Sequence, residues 1–318
     1  MSKVIDLELS LPPSIEQIVS SLKDYILHRG EKGLANYGNI FGPTKARSLE
    51  FKPEELERLA KELSPKELDD TLRARANKAV VTLPQFVRQL DEAGVEWGII
   101  DAGSHEKTAE IVAQFPKKFI GVAVVSPHDG MKAVRELERA VKELGLKCFY
   151  ATPFRFGLKA NHKKFYPLYS KAVELGIPVF IYTTMTYRTD FPMDIGRPLY
   201  IDEVAMDFPE MKIIAGLGGW PWVPEMVGIA RRHQNVYIST AGHRPRYFAI
   251  PGSGWEMLMQ FGNTLLQDRI VFASSWWTYG LPIKEVVQEM KTLPLKETVK
   301  EKWLYENGAR LFAELAPR

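Results

Sequence analysis

Residues 165–184 read FYPLYSKAVELGIPVFIYTT and contain both elements of one repeating structural unit. Apolar residues at helical spacing continue as far as Leu175, and Gly176 follows as a residue suited to end a helix. The next run, 178–182, is short, apolar and free of charge, which is typical of a parallel strand buried on both faces. The stretch therefore predicts a helix that is followed by a strand of a parallel sheet.

The same alternation extends outward from this stretch in both directions. Helical periodicity recurs, for example, in MKAVRELERAVKELG at 131–145. Repeated strand–helix alternation predicts a parallel sheet with right-handed crossovers. Eight units favour closure into a (β/α)8 TIM barrel of the α/β class, whose active sites lie at the C-terminal ends of the strands. The predicted strands are 4–9, 96–100, 119–125, 147–150, 178–182, 212–215, 235–239 and 269–272.

One long segment, residues 14–79, interrupts the repeat between the first strand and a helix that begins near Thr82. Residues 51–76 are charged with helical periodicity, whereas residues 29–47 are rich in glycine and irregular. An insertion after a barrel strand lies on the catalytic face. We expect it to form either a lid over the pocket or an oligomer contact, within a single domain that covers residues 1–318.

Charge and composition limit the classes of partner. With 42 basic and 39 acidic residues the net charge is +3, which favours neither nucleic acid nor a membrane surface. Cys148 has no second cysteine with which to form a disulfide or a cysteine zinc site. No apolar run approaches the roughly 20 residues of a membrane span, and the acidic N-terminal stretch is not a signal peptide. We therefore expect a cytoplasmic protein.

Several segments, in order along the chain, resemble the amidohydrolase-related family that includes aminocarboxymuconate-semialdehyde decarboxylase and the resorcylate decarboxylases. The resemblance implies a metal-dependent barrel whose relatives are decarboxylases and other lyases, hydratases and hydrolases. The segments are TLPQFVRQLDEAGVEWGIID (82–101), FPKKFIGVAVVSP (115–127), FYPLYSKAVELGIPVFIYTT (165–184), DFPEMKIIAGLGGWPWVPEMVGIARRHQNVYISTAG (207–242), DRIVFASSWW (268–277) and LYENGARLF (304–312).

The resemblance breaks at the family's metal site. Glu8 matches the glutamate variant of the first-strand ligand motif. Ser10 and Tyr182 stand where the family has histidine ligands, and Ser275 stands where it has an aspartate. Gly216 replaces a further histidine on the sixth strand. A divalent ion needs about three protein ligands, so we expect a divergent member that has lost most of its metal ligands and uses no cofactor.

A divalent metal held by Glu8 with unexpected partners, such as Asp101, His105 or His243, is the alternative. Without a metal, burial should raise the pKa of Glu8 and make it an acid–base group. We expect it to accept a hydrogen bond from Tyr182 or Ser275. Tyr182 is then either a proton donor or a side chain that fills the space of the metal and its histidine.

Two further groups of polar residues follow predicted strands. His243 and Arg244 come after the seventh strand and suit a substrate that carries a carboxylate, although a polar rim loop is the alternative. Asp101 and His105 come after the second strand. Asp101 and His105 could form an acid–base pair. The favoured interpretation is that Ser104 or Asp101 caps the helix that begins near His105.

Substrate-binding candidates also follow strands. Arg155 is a candidate anchor for a carboxylate, and Trp220, Trp276 and Trp277 suit a flat ligand or simply pack long rim loops.

Two functions stay open at this point. The first is an enzyme that acts on a small carboxylic acid, aromatic or unsaturated, as a decarboxylase, another lyase or a hydrolase without the family's metal. The second is a catalytically inactive amidohydrolase-like subunit or a small-molecule binding protein. In either case we expect a homo-oligomer or a complex with an amidohydrolase homologue. The catalytic candidates are Glu8, Asp101, Tyr182, His243 and Ser275.

Overall fold

The computed structural model describes residues 3–27, 49 and 51–317, apart from the side chains of Leu27, Pro53 and Trp277. Parallel strands form one eight-stranded sheet in chain order. The backbone N–H of Leu7 donates to the carbonyl of Phe272 at 3.1 Å, which joins the first strand to the last. The predicted (β/α)8 barrel is therefore confirmed. Its strands are β1 Val4–Asp6, β2 Val95–Ile100, β3 Phe119–Ala123, β4 Cys148–Ala151, β5 Val179–Tyr182, β6 Ile213–Gly216, β7 Val236–Ser239 and β8 Ile270–Val271.

Helices surround the sheet and include the insertion after β1. A π-helical turn at Lys302–Glu306 precedes the last helix. In the described part of the chain the α-helices are α1 Ile15–Leu27, α2 Pro53–Glu62, α3 Pro65–Ala79, α4 Leu83–Ala93, α5 His105–Gln114, α6 Met131–Lys142, α7 Pro153–Phe156, α8 Tyr166–Glu174, α9 Leu199–Asp207, α10 Val223–Arg232, α11 Glu256–Gly262, α12 Trp276–Tyr279, α13 Ile283–Lys291, α14 Glu297–Glu301 and α15 Asn307–Leu311.

The unit quoted first from the sequence has the predicted form. Helix α8 ends at Glu174, and Gly176 has φ +66°, a left-handed conformation that glycine adopts without steric cost. The N–H of Ile177 then donates to the carbonyl of Ala172 at 3.1 Å, which closes the helix end before β5 begins.

The core has two layers because successive strand residues point to opposite faces of the sheet. On β5, Val179 and Ile181 pack outward against the helices, whereas Phe180 packs inside the barrel with Ile120 and Ile214. The inner layer fills the barrel with side chains, as is usual for this fold. Polar groups that follow the strands are therefore left at the mouth of the barrel.

The insertion forms a small helical unit with its own apolar core. Leu22 of α1, Leu56 of α2 and Leu72 of α3 are fully buried in this core. The Ser64 hydroxyl accepts from the N–H of Glu67, and the Glu67 carboxylate accepts from the N–H of Ser64, which fixes the start of α3. The predicted helical character of residues 51–76 is confirmed, and the predicted irregular segment, 29–47, lies outside the described residues.

None of the helices within residues 3–27 and 51–317 has the length and apolar character needed to cross a membrane.

Candidate active site

The segments that follow β1 and β8 meet at Glu8 and Ser275. The Ser275 hydroxyl donates to Oε1 of Glu8 at 2.8 Å, and the Ser275 N–H donates to the Glu8 carbonyl at 3.2 Å. Ser275 has φ +42°, which is uncommon for a residue with a side chain and costs about 1 kcal/mol. This turn brings its hydroxyl over the end of β1, so the expected hydrogen bond to Glu8 is present.

Asp6, the last residue of β1, links the C-terminal ends of β1 and β8 through hydrogen bonds to the backbone. It is completely buried, and its Oδ1 accepts from the N–H of Glu8 at 3.1 Å and from the N–H of Ser274 at 2.9 Å. The other oxygen of each carboxyl group, Oδ2 of Asp6 and Oε2 of Glu8, is buried without a hydrogen-bond partner among the described residues. A buried carboxylate oxygen without a partner is costly, which favours the protonated form of the group.

Burial therefore raises the pKa of both carboxyl groups. The pKa of Glu8 rises to about 8 through burial, an effect that the Ser275 hydrogen bond opposes, the negative charge of Asp6 increases and the nearby Tyr182 phenol reduces. The pKa of Asp6 rises to about 6 through burial, and its hydrogen bonds with Ser274 oppose the rise. At neutral pH Glu8 is mostly a neutral carboxylic acid that can donate a proton.

Tyr182 ends β5 beside Glu8 and occupies the space that opens at Gly216. The β5–β6 register pairs the two residues, and a Cβ added at Gly216 would lie 3.3 Å from Cδ1 of Tyr182. The Tyr182 ring packs edge-on against Tyr150 and Phe154, with centroid separations of 5.3 and 5.9 Å. Burial and the charge of Glu8 raise the pKa of Tyr182 well above its usual value, so the phenol keeps its proton.

Glu8 and Tyr182 line a cavity of about 850 Å³ at the mouth of the barrel. The polar side chains deep in its wall are those of Glu8, Ser10, Tyr150, Thr152 and Tyr182, and buried apolar residues such as Leu9 and Ile99 lie beside them. Asp101, Lys107 and Arg155 line it from the solvent side, where all three side chains are exposed. In the described part of the chain neither Lys107 nor Arg155 makes an ion pair. The cavity is therefore lined by one carboxyl group that can donate a proton, that of Glu8, and by two cationic side chains, those of Lys107 and Arg155.

The match to known proteins agrees with this architecture. The family model described as Amidohydrolase matches residues 5–313. The chain belongs to the amidohydrolase family. The decarboxylase OrsB of Emericella nidulans is 25% identical over an alignment of 266 residues that covers 79% of this chain and 71% of that protein.

Solved structures share the fold of this amidohydrolase. An uncharacterized TIM-barrel protein from Bordetella bronchiseptica has 23% identity and a TM-score of 0.70, with 98% of this chain and 99% of that chain covered. A 5-carboxyvanillate decarboxylase from Novosphingobium aromaticivorans, complexed with manganese and 4-hydroxy-3-methoxy-5-nitrobenzoic acid, has 15% identity and a TM-score of 0.59, with 98% and 96% covered. At these identities the likeness shows the barrel fold.

The side chains at the family's metal position do not fit a divalent ion in this amidohydrolase. Glu8 supplies one carboxyl group whose Oε1 accepts from the Ser275 hydroxyl, and the neighbouring side chains are the Tyr182 phenol and the hydroxyls of Ser10 and Ser275. Phenol and hydroxyl oxygens are poor replacements for the histidine and carboxylate ligands of such sites. No group of three or more His, Cys, Asp or Glu side chains within the described ranges is placed to hold a metal ion.

Asp101 and His105 do not form an acid–base pair. His105 Nδ1 lies 2.6 Å from Oε1 of Glu136, and its Nε2 lies 3.0 Å from backbone atoms of Val124. Asp101 Oδ1 instead accepts from the N–H of Gly103 at 2.8 Å. The Ser104 hydroxyl accepts from the N–H of Lys107 and caps α5, so the cap interpretation is confirmed.

His243 and Arg244 lie at the end of β7 but outside the lining of this cavity. The His243 ring packs between Trp220 and Trp255, at centroid separations of 4.9 and 5.4 Å, and burial lowers its pKa to about 4. Arg244 forms an ion pair with Glu289. The structure thus gives both residues packing and pairing contacts, and their predicted roles toward a substrate stay predictions that this placement does not favour.

The rim tryptophans also have packing contacts. Trp276 is buried, stacks on Phe86 at 5.4 Å, and donates its indole N–H to the carbonyl of Ser10 at 2.8 Å. The Trp220 indole donates to the carbonyl of Ser253 at 3.3 Å. Neither residue lines the cavity, and the side chain of Trp277 is outside the described part of the structure. The predicted aromatic wall is instead supplied by Tyr150, Phe154 and Tyr182.

Sequence reasoning missed several of the lining residues, among them Tyr150, Thr152 and Lys107. Tyr150 and Thr152 follow from the strand-end rule, because both lie at or just after the C-terminal end of β4. Lys107 lies in the first turn of α5, seven residues after the end of β2, and no motif in the sequence distinguishes it from other helix lysines.

Proposed function

We propose that this amidohydrolase is a carbon–carbon lyase that decarboxylates a small aromatic carboxylic acid without a divalent metal. The observation that carries the proposal is the Glu8 carboxyl group, which is protonated near neutral pH and lines the cavity. Two comparisons support the reaction class, since the relative OrsB is named a decarboxylase and a 5-carboxyvanillate decarboxylase has the same fold.

The proposed step moves one proton from Glu8 to the ring carbon that bears the carboxylate. A ring π pair forms the new C–H bond, and Glu8 becomes a carboxylate. The bond between the ring and the carboxylate then breaks, its electron pair restores the aromatic ring, and CO2 leaves. Glu8 regains a proton from water. General acid catalysis of this kind contributes about 10²–10⁴-fold to a rate.

Other cavity residues hold the reactants in place. The Ser275 hydroxyl donates to Oε1 of Glu8, whereas Oε2 has no hydrogen-bond partner among the described residues, so we assign the proton to Oε2. The Tyr182 phenol keeps its hydrogen and is placed to donate a hydrogen bond to the substrate. Arg155 and Lys107 supply positive charge that attracts the substrate carboxylate into the cavity.

The test is a screen of hydroxybenzoic and methoxybenzoic acids for CO2 release, with metal content measured on the same preparation. We expect turnover that EDTA does not remove, that falls as pH rises through about 8, and that drops at least 100-fold in Glu8→Gln. The matched control is Glu297→Gln, which changes an exposed glutamate on α14 outside the cavity lining.

Each contrary outcome has a distinct meaning. Turnover that requires added manganese or zinc would overturn the metal-independent mechanism. Binding of the acids without any turnover would support the inactive-subunit or binding-protein alternative instead.

A further inference from the structure

The cavity extends beyond the Glu8 region to an apolar outer wall. This wall is built where the insertion leaves and rejoins the barrel, from the loop before α1, the start of α1 and the segment between α3 and α4. Its half-buried apolar side chains are Leu11, Pro12, Pro13, Ile15, Val80, Val81 and Leu83. The insertion thus lines the cavity with a set of apolar side chains at this edge, beside the polar Ser14 and Gln17 and the charged Glu16, which pairs with Arg73.

The apolar side chains of the wall belong to two separate packing units. Leu11, Val81 and Leu83 pack against the barrel's outer core, whereas Ile15 and Val80 pack against the core of the insertion. Each keeps part of its surface open, and together they face one volume that is continuous with Glu8. A contiguous apolar surface inside a ligand cavity is more typical of a binding wall than of solvent-exposed packing.

The size of the cavity points the same way. Its volume of about 850 Å³ lies near the upper end of the roughly 300–1,000 Å³ that is typical for drug-sized ligands. A single-ring acid held at Glu8 and Tyr182 leaves the outer wall uncovered. A ligand that fills both parts needs an acidic ring at one end and an apolar extension at the other.

We infer that the ligand is an aromatic acid with an apolar substituent, such as an alkyl chain, which lies against the wall formed by Ile15, Val80 and Val81. This inference rests on the proposed function for the position of the acidic ring at Glu8. The insertion then sets substrate specificity, because the two ends of the insertion supply the surface that contacts the substituent.

The test measures binding by calorimetry for a series of 4-alkylbenzoates from methyl to pentyl. Burial of each methylene is expected to tighten binding roughly two- to fourfold, since full burial of a CH2 is worth about fourfold at 25 °C. Ile15→Gln should flatten the dependence on chain length. Ile26→Gln is the matched control, because Ile26 is on the same helix, is also half-buried, and does not line the cavity.

Val81→Thr provides a second variant of nearly unchanged shape, in case Ile15→Gln disturbs the start of α1. It should also flatten the dependence on chain length, and thermal unfolding of each variant establishes that it is folded. An affinity in the wild-type protein that does not change with chain length would overturn the inference. A steep dependence that Ile15→Gln and Val81→Thr both leave unchanged would overturn it as well.

The inference and the proposed function fail in different ways. If affinity rises with chain length but no acid is decarboxylated, the ligand class stands and the proposed reaction falls. If short acids are decarboxylated through Glu8 while affinity ignores chain length, the reaction stands and the apolar subsite falls.

Discussion

Two clusters of polar residues follow strands on the same edge of the barrel, and their surroundings differ sharply. The Glu8 cluster consists of Asp6, Glu8 and Ser275, and the His243 cluster consists of His243 and Arg244 with their neighbours. In the Glu8 cluster two carboxyl oxygens are buried without a hydrogen-bond partner in the part of the chain that the structure describes, and Glu8 faces the cavity. In the His243 cluster the imidazole packs between indoles and the guanidinium is paired with a glutamate.

The difference teaches that a strand-end position alone does not identify a catalytic residue. Both clusters occupy the face on which barrel enzymes place their active sites. Only one combines a perturbed carboxyl group, incomplete hydrogen bonding and access to a cavity of ligand size, the combination that favours a functional site. In the His243 cluster burial also changes a pKa, since it lowers the pKa of the His243 imidazole and keeps the ring neutral. That neutral ring is packed against two indoles and does not line the cavity.

The sharpest way to break this comparison is to make amide substitutions in both clusters. Glu8→Gln should lower kcat by about 10²–10⁴-fold, because it removes the acidic proton while keeping the shape of the side chain. His243→Gln should lower kcat less than tenfold and instead lower the melting temperature, since it changes a packed ring. Steady-state kinetics on the best acid from the screen and thermal unfolding measure the two effects. Equal losses of kcat would remove the distinction between the clusters.

The pH dependence of stability gives the next largest effect. The folded-state pKa of Glu8, about 8, lies above its ordinary value of 4.5, so ionisation of Glu8 opposes folding. The penalty is absent below about pH 4.5, grows as pH rises, and is complete near pH 8. Glu8→Gln lacks this penalty and should gain a few kcal/mol relative to wild type between those limits. Urea unfolding of both proteins at pH 5 and pH 8.5 checks it, and a constant difference in free energy would contradict the assigned burial.

The fold follows from the sequence to a greater extent than the site does. Parallel strands buried on both faces must be nearly continuous apolar runs, so runs such as 178–182 and 212–215 are visible without any structure. The convergence of Glu8, Tyr182 and Ser275 also follows, because barrel closure brings the C-terminal ends of all strands to one mouth.

The orientation of the rim loops could not be predicted in the same way. His243 and Trp276 follow strands just as Glu8 and Tyr182 do, yet they turn into packing contacts with Trp220 and Phe86. Loop paths depend on contacts between segments that are distant in sequence, and periodicity carries no information about them. Lys107 was missed for the same reason, since only the arrangement of α5 beside the cavity distinguishes it.

Substitution of the two candidate carboxylate-binding arginines, Arg244 and Arg155, should have different effects. One should lower the stability of the fold, and the other should weaken substrate binding. Arg244→Gln should destabilise the fold by about 1–3 kcal/mol, because it leaves the partly buried Glu289 without its partner, and should leave KM nearly unchanged. Arg155→Gln should raise KM about tenfold, because a charge-assisted hydrogen bond is worth about 1.5–3 kcal/mol, and change stability by less than about 0.5 kcal/mol. The reverse pattern, with KM raised by Arg244→Gln, would bring the β7 loop back into the substrate site.

The smallest effect concerns the contact between Tyr182 and Gly216, two positions at which the family resemblance implies histidines. An alanine Cβ at position 216 would lie 3.3 Å from the Tyr182 ring, a contact that the ring can relieve only by shifting a few tenths of an ångström. Gly216→Ala should therefore cost about 0.5–1 kcal/mol in the wild-type background and less in a Tyr182→Ser background, where the ring is gone. A double-mutant cycle by chemical unfolding measures this coupling. If the cost is the same in both backgrounds, the glycine is required by the β6 backbone itself. The Tyr182 ring then does not restrict the size of the side chain at position 216.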